Sequence, residues 1–132
     1  MPPAQDNERA AAILERRAQG LLALDEALVE LADANCVVTI AAVVAERIRV
    51  QPDVVARFLD ADSDEPISVI FRAAGFSLNG FSALLRMRRR RNHGSRNATE
   101  ALAYFSSLNR ASAERILQQM VPRPARPGRR FR

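Results

Sequence analysis

Leu21-Leu-Ala-Leu-Asp-Glu-Ala-Leu-Val-Glu-Leu-Ala-Asp33 is the stretch that decides the fold class. Leu21, Leu24, Leu28 and Leu31 recur at i, i+3, i+7 and i+10, while Asp25, Glu26, Glu30 and Asp33 fall mostly elsewhere. That is the period of an amphipathic helix, and its apolar stripe has to be buried against other helices. Upstream, a helix from about Asp6 to Gln19 carries Ala11, Leu14 and Ala18 on one face, and Gly20 stops it.

Downstream the same period repeats in short pieces. Thr39 is a good N-cap for a third helix reaching Arg49, with Ile40, Val43, Val44 and Ile48 inward. Pro52 and Pro66 each open a helix, where a missing N–H costs little. Val54, Val55, Phe58 and Leu59 pack from the first of these two, and Ile67, Ile70, Phe71 and Ala74 from the second, which Gly75 ends. The acidic run Asp60–Glu65 between them makes a solvated turn. Ser77 caps a sixth helix, with Phe76 and Phe81 spaced as a hydrophobic staple. Asn97 and Glu100 form a variant capping box for a seventh segment, Ala98 to about Met120, which Asn109 is placed to break in two. The expectation is an all-α bundle or short stack of about seven short helices: residues 1–5 disordered, 6–121 one helical domain, 122–132 a disordered basic tail. That tail, Pro122 to Arg132, holds three Pro, one Gly and five Arg and cannot pack a core.

Composition agrees with an ordinary globular chain. Of 132 residues, 48% are apolar and 27% charged. A chain of this length can bury roughly two-thirds of its unfolded surface. No run approaches the ~20 apolar residues that span a bilayer, and the N-terminus lacks the basic start and apolar centre of a signal peptide. The expected setting is the bacterial cytoplasm, without membrane contact. All 20 cationic residues are Arg, which we read as a GC-rich genome rather than selection at every site. Their placement is uneven. Residues 1–65 carry 6 Arg against 13 acidic side chains, and residues 66–132 carry 14 Arg against 2. Such asymmetry suggests a polyanion contact, or an acidic surface answered by a basic one elsewhere.

Four segments, Ala27-Leu-Val-Glu-Leu31, Val54-Val-Ala-Arg-Phe-Leu59, Ile70-Phe-Arg-Ala-Ala-Gly-Phe-Ser77 and Phe81-Ser-Ala-Leu-Leu85, carry a family resemblance. The stretch from about Leu21 to Leu85 resembles the C-terminal part of an uncharacterised all-helical family of alphaproteobacterial proteins, a domain of unknown function with HEAT-like helix pairs. Members are often longer, with more helix pairs ahead of this region, so the resemblance implies a short, free-standing version. It brings no catalytic residues and supports the fold more than a function.

No catalytic or metal constellation can be assembled from the sequence. His93 is the only His and Cys36 the only Cys, short of the three or four ligands that zinc needs. Cys36 beside Val37 and Val38 reads as a buried thiol, and His93 as a polar loop residue. The five Gly are scattered rather than gathered in a phosphate loop, and Asp60–Glu65 lacks calcium-loop spacing. The chain reads as a non-enzyme without cofactors.

Two binding candidates remain. In Val43–Asp60, Ala45, Ile48, Val50, Val55 and Phe58 are spaced like the packing residues of a helix-turn-helix, which would present Gln51, Asp53, Ala56, Arg57 and Asp60 to a major groove. Arg49 at the turn position usually given to Gly, and the acidic Asp53 and Asp60, count against it. The second is the run Arg86, Arg88, Arg89, Arg90 and Arg91 with Arg96, suited to phosphates or to an acidic partner. Cations at a helix C-terminus also complement its dipole by about 0.3–1 kcal/mol each, but five in six residues exceed that need. The leading expectation is a regulatory or adaptor domain acting by protein–protein contact with an unidentified partner. The alternative is a nucleic-acid-binding protein using the helix-turn-helix-like unit, the Arg cluster or both.

Overall fold

The computed structural model describes residues 3–94 and 98–121, with side chains from Glu8 onward. The described residues form eight helices and no strand: α1 Pro3–Ala18, α2 Leu24–Asp33, α3 Val37–Ile48, α4 Pro52–Leu59, α5 Glu65–Ala73, α6 Leu78–Arg90, α7 Ala98–Ser107 and α8 Arg110–Met120. The all-α expectation holds, with one helix more than the sequence pattern counted. Residues 122–132, expected to be a disordered tail, and Asn97 of the expected capping box lie outside the described residues.

Three boundaries differ for local physical reasons. Asn109 does break the seventh segment: its side chain accepts the Ser112 N–H at 2.8 Å and caps a separate helix α8. α3 begins at Val37, two residues before the expected cap Thr39, because the end of α2 runs straight into it. α2 itself starts at Leu24, its Ala23 N–H donating to Glu26 Oε1 at 2.8 Å. Leu21 therefore drops out of the apolar stripe and stands 66% exposed, while Leu22 is buried.

Five helices end in one way. After α1, α2, α3, α5 and α6 a residue of positive φ (Gly20, Asn35, Arg49, Gly75 or Asn92) turns the chain. The N–H of the next residue then returns to a carbonyl five positions back, as in Cys36 to Leu31 at 2.9 Å and Phe76 to Phe71 at 3.1 Å. Gly and Asn tolerate this conformation; for other residues it costs roughly 1–2 kcal/mol. Arg49 at φ 61° is the departure from that pattern.

Packing closes the chain on itself. α2 lies chiefly against α6, α3 against α4, and α5 against α8. The first and last of these pairings join helices distant in sequence, as in a bundle. Leu28, Leu31, Ile40, Leu59, Ile67, Ile70 and Leu84 are fully buried between them. Phe71 links the two residues of the proposed staple, its ring centroid 5.2 Å from Phe76 and 6.2 Å from Phe81. Phe81 stacks on Phe105 of α7 at 4.4 Å, a contact of the kind that adds about 0.5–1.5 kcal/mol beyond buried area.

Gly80 fixes how closely α6 approaches α2. A Cβ there would stand 2.6 Å from Asp25 Oδ1 and 3.1 Å from Leu28 Cδ2. The same Asp25 oxygen accepts the Ser77 N–H at 2.9 Å, holding the first turn of α6. Gly80→Ala gains about 1 kcal/mol in helix propensity but must displace Asp25 or separate the helices, at about 1–3 kcal/mol. We expect a net loss of up to about 2 kcal/mol, measured as a lower urea midpoint at unchanged slope.

Candidate binding surfaces

α4 has none of the turn that ends its neighbours. Asp60 follows it at φ −99°, and the chain runs on through the acidic segment with its carbonyls facing inward. Arg88 of α6 fills the gap. Its side chain is 1% exposed, and Nη1 donates to Phe58 O (3.1 Å) and to Leu59 O. Nη2 donates to Ala61 O at 2.9 Å, Ser63 O at 3.2 Å and Asp64 Oδ1 at 3.0 Å, and Nε reaches the same carboxylate at 3.3 Å. All five guanidinium N–H groups are thus used, on four carbonyls and one carboxylate. Gly94 closes over the pair: a Cβ there would lie 2.6 Å from Asp64 Oδ1. Arg88 therefore stands apart from the solvent-facing arginines with which the sequence grouped it, and it holds α4 and the acidic turn onto α6.

The rest of that run divides. Arg90 Nη2 donates to Ala32 O at 2.7 Å and reaches Asn35 Oδ1 at 3.1 Å, covering the end of α2. Arg91 pairs with Asp60 at 3.2 Å, and His93 Nε2 lies 3.5 Å from the same carboxylate. These two contacts are exposed and add little. Arg86 and Arg89 are exposed and make no hydrogen bond or ion pair among the described residues. Arg96 lies outside the described residues.

The helix-turn-helix candidate is a real helix pair. α3 and α4 pack through buried Ala45, Ile48 and Val55 across a three-residue turn, with Arg49 left-handed where a Gly was expected. Gln51, Asp53 and Arg57 are exposed and Ala56 is half-buried. Asp60, the last residue of the proposed recognition face, is engaged by Arg91 and His93. Cys36 is buried, its thiol 3.9 Å from Ala34 O. Among the described residues no three His, Cys, Asp or Glu side chains gather as metal ligands, and no helix is long and apolar enough to cross a membrane.

Three clefts open between helices among the described residues. Leu14, Leu24, Ala27, Leu28, Leu31 and Val43 line an apolar groove of 210 Å³ between α1, α2 and α3, rimmed by Arg17, Glu46 and Arg47. An acidic cleft of 480 Å³ runs from Asp62 and Glu65 to Glu100 and Tyr104. A polar pocket of 260 Å³ brings Arg47 and Arg49 of the α3 end together with Arg110 and Glu114 of α8. Neither the groove nor this pocket is marked by any run of residues in the sequence. Arg47, Arg49 and Arg110 form no run, and only the α5–α8 packing brings them together.

A family model described as an uncharacterised protein conserved in bacteria (DUF2336) matches residues 1–118. The chain belongs to this family. The match extends well beyond the stretch from Leu21 to Leu85 on which the resemblance was seen, into α1 at one end and α8 at the other. Neither the curated proteins nor the solved structures yield a match.

The division among the arginines can be measured. Arg88→Ala removes the ion pair of the nearly buried Asp64 carboxylate and the guanidinium from four carbonyls, and is expected to cost about 3–5 kcal/mol. Arg86→Ala and Arg89→Ala should each stay within about 0.5 kcal/mol of the parent. Urea unfolding of the three variants reads the difference directly.

Proposed function

We propose that the chain is a non-enzymatic cytoplasmic adaptor that docks a protein segment in the apolar groove between α1, α2 and α3. The observation carrying this reading is Leu14, 38% exposed in the wall of a groove otherwise lined by leucines of α2. An apolar side chain left in water at a concave site gains about 25 cal/mol per Å² when a partner covers it. Such grooves suit an amphipathic segment that presents apolar anchors every three or four residues. Arg17 and Arg47 on the rim, against Glu46 alone, favour a segment with acidic residues flanking those anchors.

The arginine bookkeeping supports the same choice over the nucleic-acid alternative. Phosphate affinity grows with the number of cations free to neutralise the backbone. Of the run from Arg86 to Arg91, Arg88 is buried, Arg90 and Arg91 are engaged within the molecule, and Arg86 and Arg89 are left. On α4 the exposed carboxylate of Asp53 stands where a recognition helix would approach phosphates.

A photo-crosslinking residue placed at Glu46, exposed on the rim of the groove, tests the reading in cells, with a second placed at Arg89 for comparison. We expect discrete protein adducts from position 46, abolished by Leu14→Glu in a variant that still folds, and none of them from position 89. Adducts confined to position 89 and erased by nuclease would hand the function to the nucleic-acid alternative.

A further inference from the structure

Arg47, Arg49 and Arg110 converge on the pocket between the ends of α3 and α5 and the start of α8, and three features there bear on what the pocket can hold. Gly75 at φ +92° lies next to two of its arginines: a Cβ built on it would stand 3.2 Å from Arg47 Nη2 and 3.4 Å from Arg110 Nη1. Two guanidinium groups therefore hang over the same backbone atom, no farther apart than the sum of those distances. Like charges held this close repel unless an anion lies between them. The one carboxylate in the pocket, Glu114, is 3.7 Å from Arg110 Nε in an exposed contact, leaving Nη1 over Gly75.

Arg49 is the second feature. It occupies the left-handed position that Gly or Asn fills at the other four turns of this type, and among the described residues its guanidinium makes no hydrogen bond or ion pair. A strained backbone residue whose side chain does nothing for the fold points to a role in binding. Third, Arg47 donates Nε to Ala74 O at 2.6 Å. That bond holds the guanidinium by one edge and turns Nη2 toward the pocket, so this donor is already ordered before any ligand arrives.

We propose that the Arg47–Arg49–Arg110 pocket is a binding site for a single phosphoryl group of the phosphomonoester or inorganic phosphate class. Forked guanidinium groups match the oxygens of a dianionic phosphate and bind it in pairs. A concave pocket of 260 Å³ fits one such group rather than a polymer backbone. The site lies on the α5–α8 side of α3, while the adaptor groove lies on its α1–α2 side; Arg47 lines both.

The test is thermal unfolding of the full chain at constant ionic strength, titrated with sodium phosphate and, separately, with a short phosphoserine peptide. The parent should show a rise in Tm that grows with the logarithm of ligand concentration above the dissociation constant and reaches about 4 °C at ten times that constant. Arg49→Gly keeps the fold, since Gly relieves the left-handed strain, and Arg110→Gln alters an exposed side chain; each should lose most of the rise. An Arg86→Gln/Arg89→Gln variant should keep it. A tighter response to the peptide than to phosphate assigns the group to a phosphorylated protein, and the reverse assigns it to a small anion. No rise in the parent, or an equal rise in Arg49→Gly and Arg110→Gln, overturns the site. Because the readout needs no partner protein, it stands or falls separately from crosslinking at the groove.

Discussion

The guanidinium of Arg88, set among the Phe58, Leu59, Ala61 and Ser63 carbonyls and the Asp64 carboxylate, holds together the part of the chain that lacks a local solution. α4 is eight residues long, too short to persist alone, and the acidic segment after it has no regular hydrogen bonding to fold around. A buried cation is expensive unless every donor finds an acceptor. Arg88 meets that condition with five donors in a planar fork; the three donors of a Lys ammonium on a flexible stem would leave carbonyls unpaired. Asp64 neutralises the charge, and its own carbonyl accepts the hydroxyl of the buried Ser68 at 2.7 Å, which starts α5. One side chain thus sets the end of α4, the course of the acidic turn and the start of the next helix.

The same device recurs with less burial. Arg47 reaches Ala74 O at the end of α5, Arg72 reaches Leu108 O past α7 at 2.7 Å, and Arg90 reaches Ala32 O near the end of α2. Each places a cation at the negative pole of a neighbouring helix and adds a donor to a carbonyl there. Arg72 also lies over the Phe105 ring, 5.0 Å from its centroid. The contrast between an acidic first half and a basic second half is, in good part, an internal match. Arg88 with Asp64, Arg91 with Asp60 and Arg90 with the end of α2 all join the two halves.

What was legible in the sequence was local. The leucine period of α2, the prolines that open α4 and α5, and Gly20 and Gly75 at helix ends each act within a few residues, so they read correctly from the chain alone. The errors follow from the same limit. Thr39 is a good cap by type, but the tight end of α2 at Asn35 sends the chain into α3 before Thr39 is reached. Leu21 fits the apolar stripe by spacing, yet the turn at Gly20 places it outside the helix. Arg88 looked like its neighbours because nothing local marks it; its partners lie 24 to 30 residues away. For the candidate surfaces the limit is sharper still, since Arg47 and Arg110 become neighbours only once α5 and α8 have packed.

The arginines of this molecule therefore differ less in type than in how far the fold has already ordered them. Fixing a long side chain on binding costs up to about 2 kcal/mol of rotamer freedom, and every cation at a loose surface must meet that cost anew. Arg86 and Arg89 are in that position, with exposed side chains that make no hydrogen bond or ion pair among the described residues. Arg47 is not: its bond to Ala74 O fixes the guanidinium while leaving Nη2 directed at the space above Gly75. A ligand meeting Arg47 finds one donor already in place and needs to order only Arg49 and Arg110, which is the usual physical advantage of a preformed site. By that criterion the pocket at the end of α3, rather than the conspicuous run at the end of α6, is where this chain is best prepared to hold an anion.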